Sequence, residues 1–178
     1  MTENTTNGNA EAGAATQEQV QRQLVLQKIY VKDLSFESPN TPQVFTGQTG
    51  DPQIQFNLKS GSRQVGENAW EVVLTITVEA KAAEDRTLFL VELQHAGIFG
   101  LTGYNEEEMR QLMGSYCPSV IYPYSREVIS ELVSKGGFPQ LLLQPINFDA
   151  VYVQAREQAA QQQQVDMTPP ETPPAGNA

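Results

Sequence analysis

Reactive side chains are scarce in this sequence of 178 residues. It holds one histidine, His95, and one cysteine, Cys117. A His–His metal pair and the usual zinc spacings are thereby excluded. So is an intrachain disulfide, and a lone thiol fits a reducing compartment. Basic residues are few as well. Eleven Lys and Arg stand against 21 Asp and Glu, for a net charge of −10 and a pI near 4.5, with no basic cluster along the chain. A phosphate-backbone binder needs the opposite balance, so nucleic acid is not an expected partner. No apolar run approaches the ~18–20 residues of a membrane span. The first residues carry Glu3, Glu11 and Glu18 without an apolar segment, so neither membrane insertion nor a signal peptide is expected. The phosphate-binding and nucleophile-elbow motifs GxxxxGKS/T, GxGxxG and GxSxG are missing too. No cofactor and no metal is expected, and the cytoplasm is the expected location.

What is present is polar at both ends and patterned between them. Residues 1–23 are small and polar, and residues 165–178 are rich in proline after a glutamine run, Gln161–Gln164. Neither end buries enough apolar surface to order itself, so both are expected to be disordered tails around one domain, 24–164. Inside the domain, strands come first. Leu24–Phe36 is rich in β-formers, with Tyr30, Leu34 and Phe36 on one parity and Asp33, Ser35 and Glu37 on the other. Ile54, Phe56 and Leu58 alternate in a second strand, and Trp70 to Ala80 in a third. In a fourth, Thr87–His95, Phe89, Val91 and Leu93 oppose Leu90, Glu92 and Gln94. Four strands with short connections predict an antiparallel meander. Helices come next. Asn105 and Glu108 form a capping box ahead of Met109, Leu112, Met113 and Tyr116. Cys117-Pro118 interrupts that pattern, Ser125–Lys135 forms a second helix, and Asp149–Gln164 a third. Strands before helices predict an α+β fold with helices packed on one sheet face.

Several features have two readings. Cys117 with His95 is either a nucleophile–base pair or a small buried hydrophobe beside a core histidine. Gly97, Gly100 and Gly103 are either a weak phosphate cradle or a flexible strand-to-helix connection. Ile98, Phe99 and Leu101, and the run Phe138–Leu143, are either core or an adaptable groove for apolar peptide segments. Phe45, Ile98, Phe99 and Leu142 are the candidate contacts for such segments. The acids Asp33, Glu37 and Glu92 share an outward parity with Leu90, which is either ordinary solubility or a docking face. The Met109 and Leu112 stripe is too apolar to stay wet and predicts an oligomer.

Taken together, several segments resemble the SecB family of protein-export chaperones. They are Ile29-Tyr30-Val31-Lys32-Asp33-Leu34-Ser35-Phe36-Glu37-Ser38-Pro39-Asn40, Trp70-Glu71-Val72-Val73-Leu74, Ala96-Gly97-Ile98-Phe99, and Gly114-Ser115-Tyr116-Cys117-Pro118. Ile121–Glu127, Phe138–Leu141 and Pro145–Ala150 complete the likeness, which covers roughly Tyr30 to Tyr152. The resemblance implies a non-enzymatic, ATP-independent chaperone that holds unfolded secretory preproteins and passes them to the SecA motor. It implies a four-stranded antiparallel sheet with helices on one face, assembled as a dimer of dimers, a homotetramer. It places SecA binding on Asp33, Glu37, Leu90 and Glu92, and tetramer assembly at Val91 and Leu93, beside Met109 and Leu112. A SecB-like chaperone serving a toxin–antitoxin pair, a small Cys117-dependent enzyme and an apolar-ligand carrier are the alternatives.

Overall fold

The computed structural model describes residues 21–46 and 50–166. The expected tails therefore lie almost wholly outside the described residues. Four strands, β1 (Gln23–Glu37), β2 (Gln53–Gly66), β3 (Ala69–Lys81) and β4 (Thr87–Thr102), form one antiparallel sheet in the order β1-β4-β3-β2. This is a Greek-key order rather than the expected meander. Glu67 and Asn68 close the β2–β3 hairpin, with Asn68 at φ 58°, and a short helical turn at Ala83–Asp85 closes the next. The long link from β1 to β2, which carries the one-turn helix α1 (Gln43–Thr46), lets β1 lie beside β4 instead.

Bulges in β1 decide which of its side chains point where. The register slips between Leu26 and Lys28 and again between Val31 and Asp33, and each extra residue inverts the alternation. Leu34 and Phe36 pair with Leu93 and Val91 on the helix side, whereas Tyr30 pairs with Ala96 on the opposite face. Tyr30 thus does not share a face with Leu34 and Phe36 as the simple alternation predicts. β4 also continues past His95, so Gly97 and Gly100 are strand residues and neither a phosphate cradle nor a flexible connection. Gly97 lies directly beneath a helix, where a Cβ would come within 3.2 Å of Ile121. Gly103, at φ 79°, makes the turn that ends the strand.

The helices form one layer. The Asn105 side chain accepts from the Glu108 N–H at 2.9 Å and the Glu108 carboxylate accepts from the Asn105 N–H at 3.0 Å, which starts α2 (Glu106–Gln111) as a capping box. Cys117-Pro118 does not break the helical path. A single π turn, Leu112–Tyr116, in which the Cys117 N–H bonds the Leu112 carbonyl, leads straight into α3 (Cys117–Lys135). Pro118 follows the π turn directly, so the continuous helix runs on there without the one backbone bond that a proline cannot donate. α4 (Phe148–Asp166) comes last, and its Tyr152 ring lies on the π turn at Gly114. The core sits between α3 and the central strands. Leu74, Ile76, Val78, Val91, Leu93 and Phe99 meet Cys117, Ile121, Ile129 and Val133, all fully buried. Each such side chain contributes about 1.5–3 kcal/mol.

The other sheet face carries no helix among the described residues, yet Glu71 on it is only 1% exposed. The Tyr30 hydroxyl donates to it across β4, Lys32 Nζ lies 3.1 Å away and Arg63 Nε donates at 2.5 Å. One carboxylate therefore ties β1, β3 and β2 together. The Arg63 and Tyr30 hydrogen bonds outweigh burial and hold its pKa down at about 2.

Candidate functional site

Two surfaces stand out, one on each side of the sheet. On the helix side, Ser38 Oγ donates to the Leu88 carbonyl at 2.7 Å and Asn40 Nδ2 to the Thr87 carbonyl at 2.8 Å, which pins α1 against the start of β4. Phe45 then projects from α1 at 52% exposure. Its ring centroid is 5.2 Å from Phe138, which is 5.0 Å from Phe89, itself 6.1 Å from Phe36. Gly136 and Gly137 make this chain of rings possible. A Cβ on Gly136 would collide with the Phe36 ring, and one on Gly137, at φ 86°, would come within 3.2 Å of Phe45. The result is a groove of about 480 Å³ lined by Phe45, Ile54, Leu88, Phe138 and Leu141. Ile54 and Phe56 extend its apolar wall along β2, exposed because α3 covers β4 and β3 but not this edge.

Of the expected contacts, Phe45 alone lines this groove. Leu142, 68% exposed, lies beside a separate cleft along α3 with Arg126, Glu127 and Ser130. Ile98 is half-buried on the opposite sheet face. Phe99 is fully buried on the helix side and offers no surface, so its assignment as a contact is corrected. Phe138 and Leu141 belong to the run with a groove or core reading, while sequence reasoning misses Ile54 and Leu88 as groove residues. The exposed alternation of an edge strand is the available signal for Ile54.

On the open face, Asp33 pairs with Gln94, Ser35 with Glu92, and Glu37 with Leu90. The sheet thus brings Asp33, Glu37, Leu90 and Glu92 onto one patch, with all three carboxylates exposed and Glu79 directly across from Leu90. Val91 and Leu93 point the other way and are fully buried beneath α3. Their placement in an oligomer interface is therefore also corrected, because their side chains are already used within the protomer. Met109 and Leu112 are half-buried, and Leu112 lines a shallow cleft with Tyr104 and Tyr116, so both remain available at the surface.

The groups that a nucleophilic site would use are spent on packing. His95 is buried, with Nδ1 3.1 Å from Ser125 Oγ, and burial lowers its pKa. Burial pushes the Cys117 thiol up to about 12, so no thiolate forms near neutrality. Native protein is accordingly expected to resist iodoacetamide at pH 8 for hours and to be alkylated at once in urea. Mass spectrometry checks this, and rapid native labelling would show that the thiol is reachable. No cluster of three metal-binding side chains, and no helix long and apolar enough to cross a membrane, occurs among the described residues.

The comparisons agree with this architecture. The family model described as SecB, preprotein translocase subunit SecB, matches residues 17–159. The protein-export protein SecB of Methylococcus capsulatus is 51% identical over 152 residues, covering 85% of this chain and 96% of that one. That of Stenotrophomonas maltophilia is 42% identical over the whole of both chains. Among solved structures, a SecB-like chaperone of Mycobacterium tuberculosis, in complex with a ChAD peptide from an antitoxin, superposes with a TM-score of 0.58 over 69% of this chain and 90% of that one. At 15% identity that likeness speaks to the fold alone. With its matching sequence segments, sheet order and single helical layer, the chain belongs to the SecB family of preprotein translocase subunits.

Proposed function

We propose that this protein-export chaperone holds unfolded secretory preproteins in an export-competent state without ATP and passes them to the SecA motor in the cytoplasm. Its family is one of chaperones rather than enzymes. The observation that carries the client reading is the open aromatic groove. Phe45, Ile54 and Phe56 each expose 40% or more of their surface, and glycines hold the neighbouring rings together. Such a surface binds apolar stretches without reading their sequence, because burial contributes about 25 cal/mol per Å² whatever the side chain. Folded proteins keep those stretches inside, which selects unfolded chains. Delivery to SecA rests on the acidic patch of Asp33, Glu37 and Glu92 with Leu90 among them. Carboxylates there steer a basic partner surface toward the open face.

The working unit is a homotetramer, a dimer of dimers, with Met109 and Leu112 in the contact. Several grooves in one particle hold a single long client with avidity of order 10²–10⁴ over one groove. The test combines three measurements on the purified protein. It should suppress aggregation of an unfolded preprotein with no nucleotide present, scatter light as about four times 19.6 kDa, and bind the preprotein with a negative heat-capacity change. A zero or positive heat-capacity change would remove the apolar groove as the binding surface, and a monomer at micromolar concentration would remove the tetramer.

A further inference from the structure

The open face of the sheet carries both signs of charge, sorted by position. Read along the strands, Lys28 and Arg63 stand level with the two sides of the Ile98–Glu71 pair, and Lys59 stands level with Thr75 and Gln94. Lys32 fills the bulge between Val31 and Asp33 and reaches Glu71. Four of the chain's 11 basic residues thus share one end of this face with Glu71, and Asp33, which follows Lys32 and stands level with Lys59 through Gln94 and Thr75, borders them. The other half holds Asp33, Glu37, Glu79 and Glu92, with Lys81 paired to Glu79 at 3.5 Å. From the Glu71 level to the Glu79 level is eight residues, roughly 27 Å of strand. Only the far ends are that distant, about three Debye lengths at physiological ionic strength; the halves meet at the level of Lys59 and Asp33, so the face carries one gradient from positive to negative.

The basic half is also built in advance. Buried Glu71 holds Arg63 through Nε alone, which leaves the two terminal guanidinium nitrogens to face solvent on a side chain that is 68% exposed. A guanidinium fixed at Nε presents a fork that matches a carboxylate. In a chain of net charge −10, such a site recruits acidic groups that the rest of the surface repels.

We propose that Lys28, Lys32, Lys59 and Arg63 bind an acidic segment of the same motor whose basic surface meets Asp33, Glu37 and Glu92. This rests on the motor-docking reading and adds to it that the partner must present both signs, in the order that complements this gradient. The orientation of the docked motor is then set, because turning it end for end would place like charges together.

The test compares Lys28→Glu/Lys59→Glu, which leaves the Glu71 contacts intact, with Glu92→Lys and the parent. Arg63→Lys serves as a second variant that keeps the charge and loses the fork. The readouts are affinity for SecA, affinity for a fluorescent deca-glutamate peptide, and binding to phosphatidylglycerol vesicles. The double variant is expected to lose about tenfold or more in SecA affinity and all measurable peptide binding, with Arg63→Lys in between. Loss of SecA affinity in Glu92→Lys but not in the double variant would overturn the inference and leave motor docking standing. No SecA binding in any protein would sink the docking reading and this inference with it. Vesicle binding abolished by the double variant, with SecA affinity unmoved, would overturn it in favour of an acidic lipid surface.

Discussion

Glu92→Lys is expected to weaken SecA binding by about ten- to a hundredfold while leaving fold, oligomer mass and client holding intact. Glu92 is exposed, faces away from the helices, and stands level with Ser35 on one side and Thr77 on the other, so a lysine fits without displacing a packed group. The substitution places a positive charge between Asp33 and Glu37, which converts the centre of the patch from attraction to repulsion for a basic partner. Its salt dependence is diagnostic. The parent's affinity should fall steeply with ionic strength and the variant's only slightly. Unchanged affinity would end the docking role. Loss of client holding and of oligomer mass as well would mean that Glu92 supports the fold instead.

The second large effect concerns stability. Glu71→Gln keeps the shape and removes the charge that gathers Tyr30, Lys32 and Arg63, and it should cost about 2–3 kcal/mol in urea unfolding at pH 7. The value is kept below that of a sealed pair because Arg63 and Lys32 still reach water. The pH dependence comes from the depressed pKa. Unfolded, this carboxyl titrates near ~4.3, and folded, at about 2. Its contribution is therefore whole above roughly pH 5 and fades as pH falls through the folded value. The gap between parent and variant should shrink steadily toward pH 2. A gap that stays constant from pH 7 to pH 2 would mean that packing, not charge, is what the substitution removed.

Much of the fold was legible because it obeys local rules. The capping box at Asn105, the strand from Trp70 to Ala80 and α4 all lie where periodicity puts them. What failed was non-local. Which strand β1 pairs with depends on the long connection to β2, and the bulge at Lys32 is set by pairing with β4, neither of which local alternation encodes. The same bulge separates Tyr30 from Leu34. The acidic patch was visible because Asp33 and Glu37 both lie beyond that bulge and Leu90 and Glu92 both lie on β4, so parity holds within each pair. The basic half was invisible for the opposite reason. Lys28, Lys32, Lys59 and Arg63 come from two strands at opposite edges of the sheet, so no window of sequence shows them as a cluster. The groove was half legible. The Phe138 run marked one wall, but Phe99 reads as surface only until the helix layer is placed over it.

The π turn at Leu112–Tyr116 behaves as a helix carrying one residue too many. A residue of α-helix turns the chain by about 100°, so this extra one sets the phase of α2 relative to α3. On the α2 side, Met109 keeps against the core, and on the α3 side, Cys117, Ile121 and Ile129 keep against the sheet. Trimming one residue from the turn would bring the path back to α-helical spacing, with Pro118 now inside it. It would also swing α2 about 100° around its axis, lifting Met109 off the core and the Arg110–Glu107–Arg156 ion pairs out of register with α4. The turn is thus a length setting: the irregular helix is the one that fits, and chains with one residue more or fewer here must repack α2 and α4 together.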